Sequence, residues 1–401
     1  MLIQVEMPSP SKKKPPSFFE TIFAFGFRPL YLLSALWAAF SVMLWVFMPQ
    51  YITGMMGSMY WHAHEMLWGF VVSVAVAFLL TAAATWTGHH PSKGAHLATL
   101  TALWIVARIG FLIPGKAAFI IASLAELGFF IMAALALAKV LLKAKSKQNY
   151  PVIAAMAGLT IADAAYLLAI YQNGYHWIMK GYHIGLVIMA FIALLVGRRV
   201  IPFFASRRVQ GVEIPRHEKS GKYQLMITAL AIVLLALGLP KLAAVALVVL
   251  VAITWFQLFQ WKPMAVIKMP LLWVLYISYF FLGLGLLFAA MYFADLELSI
   301  NLRPAAFVHI VGAGGFSVMI MGMITRTALG HTGRPLEASR LMVISYILII
   351  LAAIFRLVAL WTGNAMGSLH LSATLWVLAF IAYLWQFIPI LTKPRVDGKA
   401  G

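Results

Sequence analysis

Eleven histidines and no cysteine define the metal chemistry that this sequence can support. Without thiolates the chain forms no disulfide, no iron–sulfur cluster and no covalently attached c-type haem, so a metal must be held by His, Met, Glu, Asp or Tyr. Neutral imidazole is the commonest metal ligand, and histidines on two helices can hold a b-type haem. Further imidazoles would accept copper or a second iron.

The segment Trp61-His62-Ala63-His64-Glu65-Met66 concentrates this chemistry. Positions two apart on an α-helix point about 200° from each other, so His62 and His64 do not bind one metal from a regular helix. Either they serve different centres, or the helix begins between them and His62 lies on the preceding loop. Glu65 is the candidate catalytic residue, orienting an imidazole or relaying protons, unless it is only an acid favoured at a helix start.

Membrane-spanning helices must position these residues. Hydrophobic residues make up 63% of the 401 residues and charged residues only 10%, and the mean hydropathy is +0.94. The apolar residues come in blocks of about 20, the length that crosses a bilayer core. The sequence therefore predicts an all-α polytopic membrane protein with about twelve transmembrane helices. The predicted ranges are 29–48, 61–86, 95–113, 117–139, 151–171, 176–203, 222–239, 241–261, 271–293, 304–328, 340–361 and 367–391.

The distribution of the 30 Lys and Arg residues predicts the orientation. Most of them fall on one side of the predicted helices, which by the positive-inside rule is the cytoplasmic side. This topology and contact with anionic lipid explain the net charge of +19, so no nucleic-acid partner is expected. We predict a cytoplasmic N-terminal segment, 1–24, one transmembrane domain of about twelve helices, 25–392, and a cytoplasmic tail, 393–401. Lys12, Lys13 and Lys14 precede a full-length span, so no cleavable signal is expected.

This orientation divides the histidines into two sets. The outer set lies in the first turns of predicted helices 2, 6, 10 and 12 and comprises His62, His64, His176, His183, His309 and His370. Helices 2, 6 and 10 are four apart and enter from the same side, which suggests three groups of four helices. His176 and His370 are typical of interfacial anchors. Polar residues inside spans are costly and usually functional, and this favours four of the set as metal ligands: His62, His64, His183 and His309.

The inner ends of helices 6 and 10 carry two arginine-containing motifs, Gly197–Phe204 and Arg326–Pro335. Arg199 and Arg326 are candidates to pair with haem propionates or an anionic ligand, unless they only maintain the positive-inside orientation. His331 is a further candidate metal ligand at this end. Four other ionisable residues lie within spans and are expected to face the bundle interior: Arg108, Glu126, Asp163 and Arg356.

Five separated motifs together resemble a known family. They are Phe25-Gly26-Phe27-Arg28-Pro29, His62–Met66 with Gly69-Phe70, Phe78–Ala82 followed by Trp86-Thr87-Gly88, Gly197–Phe204 and Arg326–Pro335. The sequence resembles, from about Phe25 to Thr392, the NnrS family of haem- and copper-containing membrane proteins associated with denitrification and nitric oxide stress. One departure is Gly197-Arg198-Arg199, where the family has Gly-Gly-Arg.

The resemblance implies haem b, copper, a bacterial inner membrane and a protein that binds or detoxifies nitric oxide. Reduction of nitric oxide, an oxidoreductase activity that needs an electron donor, is one form of this function. We expect His64 and His309 to bind haem, His62 and His183 to bind copper or a second metal, and Glu65 to move protons.

Two further considerations bear on this function. The haem–copper oxidases are loosely similar, with twelve helices and His ligands on helices 2, 6 and 10, but predicted helix 7 here has no His, which disfavours oxygen reduction. The alternative is a transporter of a metal or nitrosylated-iron species that uses the histidines as a transient site. Three groups of four helices do not match the inverted repeats typical of secondary transporters.

Overall fold

The computed structural model describes residues 16–211, 213–296, 304–361 and 364–398, and within these ranges it contains helices and no strand. The long helices are α1 (Phe27–Phe47), α2 (Gly57–Thr87), α3 (Gly94–Gly110), α4 (Lys116–Lys143), α5 (Tyr150–Tyr171), α6 (Tyr175–Arg208), α7 (Glu218–Ala236), α8 (Pro240–Gln260), α9 (Pro270–Phe293), α10 (Ala305–His331), α11 (Arg340–Trp361) and α12 (Ala365–Leu391).

The predicted polytopic all-α architecture is confirmed. Ten of these helices in the described ranges are long and apolar enough to cross a membrane. The other two, α3 with 17 residues and α7 with 19, occupy the third and seventh predicted ranges. The first turns of α7, Glu218 to Lys222, are polar, which shortens its apolar stretch. Most of the predicted segment 1–24, including Lys12, Lys13 and Lys14, lies outside the described residues, and the domain division stays a prediction.

Helices α2, α6 and α10 form the centre of the bundle. In their most apolar windows 83%, 72% and 78% of residues are buried, against 33–61% for the other candidate spans. Each of the three contacts the other two. A helix that is apolar on every side is stable only when other helices or lipid surround it, and here protein surrounds all three. The predicted histidine-bearing helices 2, 6 and 10 are therefore the innermost ones.

Two of these central helices contain a π-helical segment. Residues Glu65–Val72 of α2 and Ile310–Ser317 of α10 have π-helical backbone, and each segment begins directly after a histidine, His64 or His309. The wider turn of α10 is accompanied by a hydrogen bond of 2.8 Å from Ser317 Oγ to the carbonyl oxygen five residues earlier. Such segments are rare and frequently occur at functional sites.

Candidate functional site

A cavity of about 510 Å³ lies among α1, α2, α5, α6, α10, α11 and α12, in the halves of these helices that are predicted to face outward. We call it the outer cavity. Its walls are mainly apolar, with Trp45, Phe70 and Trp376 among the aromatic side chains. The strongest polar groups in its lining are His62, His309 and Arg356, together with several tyrosines. A mainly apolar cavity with a few convergent polar groups, in the range of roughly 300–1,000 Å³, is typical of cofactor sites.

His62 presents an imidazole to this cavity from α2. The helix begins at Gly57, so His62 lies on the helix and not on a preceding loop. Its ring stacks on Trp45, with centroids 3.9 Å apart and planes 11° apart. Its Nδ1 is buried and has no hydrogen-bond partner among the described residues. An unsatisfied buried nitrogen is costly, and ligation would satisfy one nitrogen of this ring.

His309 faces His62 from α10, with ring centroids 6.4 Å apart and planes 17° apart. Its Nδ1 lies 2.6 Å from the Ala305 carbonyl oxygen. A carbonyl only accepts, so Nδ1 carries the proton and Nε2 keeps the lone pair that a metal requires. Two imidazoles on one metal, with bonds of about 2.0 Å, have centroids roughly 6 Å apart. The spacing of this pair therefore suits a shared metal.

Arg356 and Gly312 complete the polar and steric features of the outer cavity. Arg356, on α11, is half-buried in its wall. Gly312 lies in the π-helical segment of α10, and a Cβ placed there would meet no atom within 4 Å. A guanidinium in the wall of a mainly apolar cavity suits an anionic group attached to a flat apolar body, such as a propionate on a porphyrin.

His64 points away from the outer cavity, as the 200° separation from His62 predicts. Its Nδ1 lies 3.0 Å from Glu65 Oε1, and its Nε2 lies 3.0 Å from Asp163 Oδ1 and 3.8 Å from Glu126 Oε2. An imidazole donates to carboxylates from both nitrogens only when both are protonated. In this arrangement neither nitrogen of His64 offers a free lone pair to a haem.

Arg108, on α3, connects two of these three carboxylates. Its guanidinium pairs with Glu65 through Nη1 and with Glu126 through Nη2. Trp37 Nε1 also donates to Glu65 Oε2, at 2.6 Å. The ionisable members are at most 2% exposed, and buried charges persist only when they are paired in this way. We call His64, Glu65, Arg108, Glu126 and Asp163 the buried charge cluster; it joins α2, α3, α4 and α5.

Part of the buried charge cluster has the composition of a metal site. One ligand atom each from His64, Glu126 and Asp163 lies within 4.8 Å of the others. Two carboxylates and one imidazole suit a harder ion better than Cu(I), which prefers thiolate or thioether. Arg108 already supplies a cation to Glu126, and an ion would displace the hydrogen bond between His64 and Asp163. The geometry therefore supports charge pairing at least as directly as metal binding.

His183 lies on α6 inside an aromatic cage. The rings of Tyr292, Phe293 and Phe307 surround its imidazole at centroid distances of 5.2–5.7 Å. Its Nε2 is buried and has no hydrogen-bond partner among the described residues. His183 is not part of the outer cavity lining, so the structure does not bring it together with His62 and His309. The two histidines interpreted as anchors, His176 and His370, are both exposed.

Arg199, Arg326 and His331 line a second cavity, of about 1,050 Å³, at the ends of α6 and α10 that are predicted to face the cytoplasm. We call it the inner cavity. On α6 its lining begins at Arg198, 12 residues beyond the outer cavity residue Leu186, a separation of about 18 Å along the helix. The arginines predicted to meet haem propionates are therefore not at the His62–His309 pair; the arginine there is Arg356.

Sequence reasoning did not identify the role of Arg356 or the partners of Arg108. Both stood out as charges within spans, but the helices they face depend on tertiary packing, which hydropathy does not specify.

Comparison with known families shows that the NnrS protein family matches residues 21–395, nearly the whole chain. No curated protein sequence matches the chain.

Proposed function

Because the chain belongs to the NnrS family, whose members are membrane proteins linked to the nitric oxide response, we propose that its outer cavity binds one haem b through His62 and His309 and that this haem binds nitric oxide. The observation that carries the proposal is the pair of facing imidazoles, with centroids 6.4 Å apart, in an apolar cavity of about 510 Å³. The pair replaces the sequence-based expectation of His64 and His309.

The two histidines are held by different contacts, and we infer from this that they would bind the haem with different firmness. His309 is fixed by its hydrogen bond to the Ala305 carbonyl oxygen, so it would be the more firmly held ligand of a bound haem. His62 is held by stacking on Trp45, with no hydrogen bond to its Nδ1 among the described residues, so it would be the more easily displaced ligand of a bound haem. A haem held there would supply an iron that binds a small molecule such as nitric oxide. Arg356 would pair with a propionate of a bound haem, and the aromatic walls would keep water away from it.

Copper and catalysis are further parts of the proposal. Copper rests on the family resemblance, and His183 is its candidate ligand because its Nε2 is buried and unpartnered among the described residues. His331 stays a candidate ligand at the inner end. Reduction of nitric oxide would need an electron donor and protons, and Glu65, behind the outer cavity, would hold or move a proton. We also propose a bacterial inner membrane, with both termini cytoplasmic.

The test compares haem content, optical spectra and EPR spectra of the purified protein with those of His62→Ala and His309→Ala. Both variants are expected to lose haem or to change its axial ligation, and His309→Ala to lose more. His370→Ala is the matched control, since this exposed histidine lies at the same end of the bundle. Titration of the reduced protein with nitric oxide then measures binding. Unchanged haem content and spectra in both variants would refute the assignment, whereas stable stoichiometric haem counts against the transporter alternative.

A further inference from the structure

The inner cavity contains most of the motif residues that the outer cavity leaves unexplained. Three central helices contribute to it through Phe78 to Trp86 of α2, Arg198 to Phe204 of α6 and Met323 to His331 of α10. These stretches overlap three of the five motifs identified in the sequence. At about 1,050 Å³ it is at the upper end of the range of roughly 300–1,000 Å³ for small-molecule sites.

The lining of the inner cavity is strongly basic. Six of its lining residues are Lys or Arg and one, Glu218, is acidic. Lys147, Arg216 and Lys222 are exposed at its edge, whereas Arg198, Arg199 and Arg326 are half-buried in its walls. Residues that only keep loops on the cytoplasmic side need no such inward position, because positive-inside retention acts on exposed loops. We therefore expect these three arginines to bind an anionic group inside the cavity.

Contacts with neighbouring residues hold two of these three side chains, those of Arg199 and Arg326. Arg199 donates to Asn149 Oδ1 at 2.7 Å and to the Gln148 carbonyl oxygen at 2.8 Å. The Arg326 guanidinium lies 3.5 Å from the centroid of the Phe204 ring. Nε of Arg198 and Nε of Arg326 are both buried without a hydrogen-bond partner among the described residues. Preorganised guanidinium groups with unused donors match phosphate, which accepts paired N–H bonds.

Apolar side chains form much of the remaining walls. Phe78, Trp86, Phe203, Leu225 and Met323 line the cavity beside the arginines. We propose that the inner cavity binds one phosphate-bearing amphiphile, with its phosphate on Arg198 and Arg326 and its apolar part against these side chains. An anionic phospholipid and a soluble aromatic phosphate such as a nucleotide share this chemistry. The proposal is independent of haem in the outer cavity.

The experiment uses native mass spectrometry of the delipidated full-length protein in detergent, with phosphatidylglycerol or ATP added separately. One molecule of one of the two is expected to bind. The dissociation constant should rise roughly tenfold or more in Arg198→Gln and Arg326→Gln, because each loses charge-assisted hydrogen bonds. Arg326→Lys keeps the charge without the planar fork and should give a smaller loss. Arg340→Gln, an exposed inner-side arginine outside the cavity, should bind as the unaltered protein does.

Gly221→Ala provides a second route if an arginine variant does not fold. A Cβ on Gly221 would lie 3.0 Å from Arg198 Cδ and would also collide with its guanidinium, so Arg198 must move while every charge is kept. Weaker binding in this variant supports the proposal. Binding that falls equally in Arg340→Gln, or adducts of many lipids and no single one, would mean non-specific surface charge and overturn it. Loss of haem in Arg326→Gln would also overturn it, by assigning the cavity to haem propionates.

Discussion

Glu126 illustrates how much a single buried residue contributes to the stability of the helical bundle. Its carboxylate pairs with Arg108 and lies 3.8 Å from His64 Nε2, at 1% exposure. Replacing it with leucine leaves Arg108 with Glu65 alone, in a medium where an incompletely paired charge is costly. We expect Glu126→Leu to lower the free energy of unfolding by about 3–5 kcal/mol.

Thermal unfolding in detergent, monitored by loss of α-helical circular dichroism, measures this effect. Glu337→Gln is the control, because Glu337 is exposed in the connection between α10 and α11. If the cluster instead held a metal ion through Glu126, chelation of metals would destabilise the unaltered protein as much as the substitution does. An unchanged melting temperature after chelation, with a large loss in Glu126→Leu, would support charge pairing.

The two π-helical segments allow a matched test at the level of elements. A Cβ on Gly69, in the α2 segment, would collide with the Arg108 guanidinium and lie 2.5 Å from Glu65 Oε2. A Cβ on Gly312, in the α10 segment, meets nothing within 4 Å. We expect Gly69→Ala to destabilise the protein by about 1–3 kcal/mol through overpacking, and Gly312→Ala to leave stability unchanged.

The same pair of variants separates stability from ligand binding. Gly312 lines the outer cavity, so an added methyl group removes space there and should weaken haem retention during dialysis against apomyoglobin. Gly69→Ala instead disturbs the buried charge cluster, so its main effect should be a lower melting temperature. Equal melting temperatures for the two variants would contradict the steric explanation.

The helices themselves follow from the sequence, but their irregularities do not. Apolar blocks of about 20 residues, interrupted by charge and proline, predict each long helix within a few residues. A π-helical turn leaves no signal in hydropathy, because its extra residue is as apolar as its neighbours. Hence the divergence of His62 and His64 was predictable from helix geometry, whereas the pairing of His62 with His309 was not, since it depends on how α2 and α10 pack.

At the scale of the whole molecule, the orientation of the helices in the membrane determines on which side each of the two cavities lies. The absence of cysteine makes this orientation measurable, since one introduced cysteine is the only thiol in the chain. Gln172, in the α5–α6 connection, and Lys143, at the end of α4, are exposed near opposite ends of the bundle. The positive-inside rule puts Gln172 outside and Lys143 in the cytoplasm.

A membrane-impermeant maleimide should therefore label Gln172→Cys in intact spheroplasts, and label Lys143→Cys only after the membrane is broken. The unaltered protein, which has no thiol, is the control for background labelling. The reverse pattern would place the His62–His309 pair on the cytoplasmic side and the arginine-rich inner cavity on the outer side. Electrons would then reach the proposed haem from the cytoplasm, and a phospholipid bound in the inner cavity would come from the outer leaflet. The labelling pattern thus decides from which side each cavity is supplied.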